Sequence, residues 1–306
     1  MKIGIFPGCS LAGSSPEYYE SLKAIAPALG VELQEVPDWN CCGASAAHTL
    51  NHKLALALPA RILALAERAR MTDLLVPCSA CYSRMMITQS TLADDAALRK
   101  DISGIIEMPC TGSVRILNAL DFLASRTTTN GFAAKVTKPF NRKVACYYGC
   151  YLTRPTDVVK CERAEDPQMM DDIVKVAGGE PIDWAYKVEC CGAGLSVSRV
   201  DTVARLAGRI LEDAAMRGAE AIAVACPMCH TNLDMRRNVI ERSLGRQYSM
   251  PVLYITQLLG LALGLDERTL GLHRHIVPVE FAPAAAAAPA EPKAEAELQT
   301  TGQKDE

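Results

Sequence analysis

The chain has 306 residues, enough for two domains, and is 49% hydrophobic but only 5% aromatic, so its core must be built from Ala, Leu, Ile and Val. The formal net charge of −3 is carried by the stretch 281–306, which leaves a near-neutral body and argues against nucleic-acid or anionic-membrane partners. "MKIGIFPGCS" has no signal-peptide h-region and no apolar run reaches the ~18 residues of a transmembrane helix, so a soluble, cytoplasmic protein is expected.

In chain order, the short apolar run 2–6 reads as a buried strand. Residues 15–30 have helical periodicity, with Ser14 or Ser15 as N-cap, Pro16 in the first turn and Gly30 as a stop. Residues 31–36 alternate as a strand does. A helix is expected from 44 to 70 with a break at Pro59, then a strand at 74–76 and a helix over 79–100. A Thr-, Asn- and Gly-containing linker, 126–142, closes a first domain of residues 1–125. The second domain, 143–280, repeats the pattern: strand 143–147, helix 168–177, strand 181–184, helix 198–217, strand 221–225 and helix 229–244. The Ala/Pro/Glu-rich tail 281–306 is expected to be disordered. Each half is therefore α/β, a small, mostly parallel sheet with flanking helices.

The two halves align with each other. "KIGIFPGCSL" (2–11) matches "KVACYYGCYL" (143–152), "CCGAS" (41–45) matches "CCGAG" (190–194), and "LVPCSACYSRM" (75–85) matches "AVACPMCHTNL" (223–233). Ten of thirteen cysteines fall into two sets of five: Cys9, Cys41, Cys42, Cys78 and Cys81, then Cys150, Cys190, Cys191, Cys226 and Cys229. Each cysteine motif follows a predicted strand, and open parallel sheets bind ligands beyond the carboxyl ends of their strands. Thiolates are soft ligands that suit iron–sulfur clusters, Zn or Cu(I). Five repeated thiols exceed what one tetrahedral Zn or one cubane cluster takes. Adjacent cysteines could instead serve neighbouring irons of one cluster, and Gly43 and Gly192 would let the backbone approach it. Zn in one half is the alternative. Cys146 aligns with Ile5 and Cys110 with Val252, both apolar positions, and Cys161 has no counterpart.

The duplicated order Gly-Cys, Cys-Cys-Gly, Cys-x-x-Cys resembles the CCG domain pair of the heterodisulfide reductase B-subunit family, over about residues 1–280. The resemblance implies two non-cubane [4Fe–4S] clusters, one on each set of five cysteines. It implies the catalytic component of a heterodisulfide reductase-like complex, which reduces or reversibly forms a thiol disulfide between the clusters. In the archaeal enzyme of this family the substrate joins coenzymes M and B. The same module occurs in dehydrogenase complexes, so an electron-transfer or anchoring role is the alternative. The chain has no C-x2-C-x2-C-x3-C-P run and no G-x-G-x-x-G after the first strand. Electrons are therefore expected from partners like those of the family: a C-type ferredoxin protein with cubane [4Fe–4S] clusters, and behind it an A-type flavoprotein.

Proteins of this family commonly place His after the second Gly-Cys, where this chain has Tyr151. Tyr151 and His230, beside Cys229, are the candidate proton donors, His230 because it titrates near neutral pH. Its counterpart in the first half is Tyr82. His48, His52, His273 and His275 read as surface or packing residues. Arg84, Arg154, Lys187 and Arg199 lie near the motifs, and solvated surface charge is the expected account of each.

Overall fold

Short runs of aliphatic residues form two four-stranded, wholly parallel sheets in this computed structural model, which describes residues 1–128, 131–161 and 163–280. The tail expected to be disordered, 281–306, lies outside the described residues. The first sheet holds β1 (Lys2–Ile5), β2 (Glu32–Glu35), β3 (Asp73–Leu75) and β4 (Arg115–Leu117) in the order β2-β1-β3-β4. The second holds β5 (Lys143–Tyr147), β6 (Glu180–Pro181), β7 (Ala221–Val224) and β8 (Val252–Tyr254) in the matching order β6-β5-β7-β8.

The fourth strand of each sheet is not among the elements the sequence predicts. Each is three residues long, too short to show a period. The ladders pair Leu74 with Ile116 and the equivalent Ile222 with Val252, so Ile116 and Val252 are the true counterparts. Cys110, which the sequence aligns with Val252, is buried in the loop before β4 instead. β6 is only two residues long because the chain leaves the ladder after Pro181. Trp184 turns inward there and donates its indole N–H to the Cys146 carbonyl at 3.1 Å.

The first half carries helices α1 (Pro16–Ile25), α2 (Ala47–Leu50), α3 (His52–Arg68), α4 (Ser79–Asp94), α5 (Ala96–Ile105) and α6 (Ala119–Thr127). The second carries α7 (Thr156–Val159), α8 (Met169–Val176), α9 (Val200–Met216), α10 (Pro227–His230), α11 (Arg237–Leu244) and α12 (Ile255–Ala262). The break expected at Pro59 falls at Asn51, whose side chain accepts the Leu54 N–H at 3.0 Å and caps α3. Pro59 sits inside α3 among buried Leu56, Ala60, Ile62 and Leu63, and packing of that face outweighs one lost backbone hydrogen bond. The helix expected over 79–100 is divided the same way at Asp95, which caps α5 through the Leu98 N–H at 2.8 Å.

Residues 126–142 are packed where they are described. α6 reaches Thr127, Phe132 and Phe140 are buried, and the N–H groups of Thr137 and Lys138 both donate to the Ala262 carbonyl at 3.0 Å. The halves interlock with approximate two-fold symmetry. α1, which follows the first strand of its sheet, packs on α12, which follows the fourth strand of the other; α8 and α6 repeat this contact. Tyr18 on α1 stacks on Tyr254 with centroids 4.1 Å apart, and its hydroxyl donates to the Ala225 carbonyl at 3.2 Å. Ser21 and Thr256 share a buried hydrogen bond of 2.7 Å.

Candidate metal centre

In both sheets the strand order reverses between the first and third strands, which opens a crevice at their carboxyl ends. Cys9 lies just beyond β1, and Cys78 is the N-cap residue of α4 just beyond β3. Cys150 and Cys226 occupy the matching places after β5 and β7. The Cys-Cys-Gly loops follow β2 and β6. Gly43 and Gly192 have φ of +74° and +80°, a left-handed turn that suits glycine. Their N–H groups point back at the sulfurs of Cys41 and Cys190, at 3.4 and 3.3 Å.

All thirteen cysteines are free thiols. Burial repeats across the halves: Cys42, Cys78 and Cys81 are buried as are Cys191, Cys226 and Cys229, whereas Cys41 and Cys190 are exposed. Cys42 and Cys81 have sulfurs 2.9 Å apart, and Cys191 and Cys229 are 3.7 Å apart. Cys41 lies beside Cys42, Cys78 beside Cys81 and Cys226 beside Cys229, each close enough to act on its neighbour's ionisation. Cys78 and Cys226 act on one another in the same way across the boundary between the halves. Seven sulfurs thus form one continuous run, Cys41–Cys42–Cys81–Cys78–Cys226–Cys229–Cys191. Cys150 lies close enough to Cys190 for the two to act on each other's ionisation, as Cys9 acts on Cys41.

Crowded thiols share protons unequally. Hydrogen bonds from Cys41 and Cys81 pull the Cys42 thiol down to about 4, and Cys150 does the same to Cys190, to about 6. Cys226 is also held low, by Cys229 and Cys78, while Cys81 and Cys229 are pushed up as the donors. Five thiols in such contact cannot all ionise unless a cation neutralises them. A polynuclear iron core would supply that charge.

The backbone leaves room for such a core. A Cβ on Gly149 would stand 3.0 Å from the Cys229 sulfur, and one on Gly8 would stand 3.6 Å from that of Cys81. Donor type, thiolate crowding and these glycine cradles all fit an iron–sulfur group.

A model of the cysteine-rich CCG domain matches residues 3–86 and again 144–234, over half of the chain. The chain belongs to the CCG family. This CCG chain is 31% identical over 280 residues to the 8-methylmenaquinol:fumarate reductase membrane anchor subunit of Wolinella succinogenes, covering 90% of this chain and 97% of that one. It is 29% identical over 287 residues to the B subunit of a ferredoxin/F420H2-dependent CoB-CoM heterodisulfide reductase of Methanosarcina acetivorans, covering 92% and 95%. A solved structure of a hypothetical protein from Helicobacter pylori superposes with a TM-score of 0.74 at 12% identity, over 92% of this chain and 53% of that one, and so shares the fold. Among the described residues of the CCG chain, no helix is long and apolar enough to cross a membrane.

The two candidate proton donors sit in different settings. Tyr151 is 39% exposed beside Cys150, and burial, then the Cys150 charge, raises its pKa; Arg84 of the other half opposes that rise. His230 is buried. Its ring stacks on Tyr254 with centroids 4.4 Å apart, and Nε2 lies 3.1 Å from the Val252 carbonyl. Burial, helped by the nearby His275, holds its pKa well below the usual histidine value, so the ring is neutral at pH 7. Lys187 is not the solvated surface charge expected. Its ammonium is buried, 3.0 Å from Asp166 and from Asp171, and Asp171 also accepts the Tyr148 hydroxyl at 2.6 Å. Arg154 is exposed and paired with Glu165. Arg84 is half-buried, and Arg199, His48, His52 and His273 are exposed.

Three further residues belong to the site. Tyr147 is buried against the second set, where the charges of Cys229 and Cys191 add to burial in raising its pKa, and its hydroxyl donates to the Glu189 carbonyl at 2.6 Å. Tyr18 is buried beside Cys226 and Cys78. Asn232 donates to the Cys191 carbonyl at 3.0 Å and lies 3.7 Å from its sulfur. The aromatic pair before "GC" at 147–148 could have flagged Tyr147; nothing local marks Tyr18 or Asn232. A cavity of about 470 Å³ opens between the halves, bounded by Asn118 and Asp121 on one side and Tyr148, Thr153, Cys161 and Arg163 on the other.

Proposed function

We propose that this chain is the catalytic component of a heterodisulfide reductase-like complex, with two non-cubane [4Fe–4S] clusters. Cys9, Cys41, Cys42, Cys78 and Cys81 hold one; Cys150, Cys190, Cys191, Cys226 and Cys229 hold the other. The observation that carries this reading is the Cys78–Cys226 contact, which joins the two sulfur sets at the boundary between the halves. A single disulfide lying there can reach both sets.

Reduction of a disulfide takes two electrons and two protons and yields two thiols. Each bound cluster supplies one electron. The chain's own residues hold the sulfurs and shield them: Cys42, Cys78, Cys81, Cys191, Cys226 and Cys229 are buried, and Tyr147 and Tyr18 pack against them. Tyr151 is the better-placed proton donor, because it is 39% exposed beside Cys150 and Arg84 of the other half, which works against the rise in its pKa, stands close enough to steady the phenolate. His230 is engaged with Val252, Tyr254 and His275 and takes no part in that step. Partners follow: a C-type ferredoxin protein with cubane clusters, and an A-type flavoprotein. Free thiols throughout suit the reducing cytoplasm.

A second reading, that the clusters relay electrons in a dehydrogenase or anchor a complex, is favoured by the fumarate reductase relative. The test is to reduce the anaerobically purified complex and add the CoB-CoM heterodisulfide. A disulfide-dependent change in the EPR spectrum, with release of two thiols per disulfide, supports the first reading. An unchanged spectrum and no thiol release would refute it and leave the relay.

A further inference from the structure

Away from the cysteines, the second half carries a different constellation of metal-binding groups. One ligand atom each from His230, Asp234 and His275 lies within 4.8 Å of the other two. His230 ends α10, and Asp234 lies four residues on in a π-helical turn, Thr231–Met235, which puts both on one side of the chain. His275 comes from the segment that follows α12 and folds back over that turn. His230 and Asp234 are 2% and 0% exposed.

Hydrogen bonds already orient all three side chains. The Val252 carbonyl accepts a hydrogen bond from His230 Nε2 at 3.1 Å, which fixes the tautomer and leaves Nδ1 with its lone pair. His275 Nε2 is engaged by the Gln257 amide, 2.9 and 3.1 Å from its two polar atoms. Gln257 is itself fixed, accepting the Tyr254 N–H at 2.9 Å and donating to the Leu270 carbonyl at 3.1 Å. The Asp234 oxygens accept the N–H groups of Ile276 and Val277, at 2.8 and 3.3 Å, which aims the carboxylate at the segment bearing His275. What is missing is any partner for the two remaining ring nitrogens. Nδ1 of His230 and Nδ1 of His275 are both buried without a hydrogen bond. Folded proteins seldom leave a buried polar atom in that condition, and here two lie together. The rings meet edge-on with centroids 4.8 Å apart.

We propose that His230, Asp234 and His275 bind a structural divalent transition-metal ion, Zn2+ by ligand type. Two imidazole nitrogens and one carboxylate oxygen suit zinc. The ion satisfies both orphaned nitrogens and offsets the buried Asp234 charge. The ion then ties two pieces together: the C-terminal segment and the turn behind Cys229. The first half has no equivalent, since Tyr82 and Met86 stand where the second has His230 and Asp234.

The test is elemental analysis with zinc K-edge absorption on the anaerobically purified full-length chain or its complex. One zinc per chain bound by nitrogen and oxygen alone is expected. His275→Ala should lose that zinc, keep its iron and sulfide, and melt at a lower temperature; Asp234→Asn should lose it as well. Absence of zinc after expression in zinc-supplemented medium would overturn the proposal. So would sulfur bound to the zinc, which places the ion in a cysteine set, or full zinc retention in either variant. The wild-type absorption spectrum decides the matter even if both variants misfold.

Discussion

Gly149→Ala probes whether the backbone ahead of Cys150 is shaped to clear a ligand sulfur. Gly149 has φ of +68°, so any L-residue there is strained, by about 1–2 kcal/mol. The added Cβ would lie 3.0 Å from the Cys229 sulfur, tighter than most real Cβ contacts, with Tyr147 behind it at 3.7 Å. The sulfur must give by a few tenths of an ångström, more than the ~0.2 Å tolerance of a metal–ligand bond. Gly8→Ala is the control. Its φ of +61° imposes the same strain, but its Cβ would meet the Cys81 sulfur at an ordinary 3.6 Å and press on the Phe6 ring at 3.0 Å instead. Both variants should therefore lose similar thermal stability, while only Gly149→Ala sheds up to half of the iron and acid-labile sulfide. Equal iron in the two purified variants, or greater loss from Gly8→Ala, would refute the reasoning.

Asn232→Leu removes the amide beside the Cys191 sulfur. Hydrogen bonds to sulfur favour the reduced, more negative cluster, so the second-half centre should shift to lower potential in an EPR-monitored redox titration while the first stays put. Ser21→Ala leaves the Thr256 hydroxyl without its partner at the boundary between the halves and should cost about 1–3 kcal/mol, read by urea denaturation. Lys187→Met strands the buried Asp171 carboxylate and should cost about 3–5 kcal/mol in the same assay, with any iron loss confined to the second centre.

The two cysteine sets and the strands before them were legible because their signal is local: an apolar run, a glycine turn and a fixed order of thiols, each written twice. Motif spacing also put each set at one sheet edge. Interruptions of helices were read less well. Asn51 and Asp95 stop helices through a single side-chain cap, whereas Pro59, the louder sequence signal, is absorbed by the packing of α3. The strands β4 and β8 have too few residues to carry a pattern and exist because neighbouring strands offer them a ladder.

By itself, then, the sequence determined the α/β repeat, the two groups of five sulfur donors and the short connections between each strand and its thiols. Only the tertiary structure decided what meets across the halves: Cys78 against Cys226, Tyr18 on Tyr254, and Ser21 with Thr256. It also decided that Lys187 is a core ion pair and that His230 faces Tyr254 and His275. The physical reason is range. A period, a cap or a loop is fixed by residues a few places apart, but burial, proton sharing and orphaned nitrogens depend on which distant elements close over a side chain.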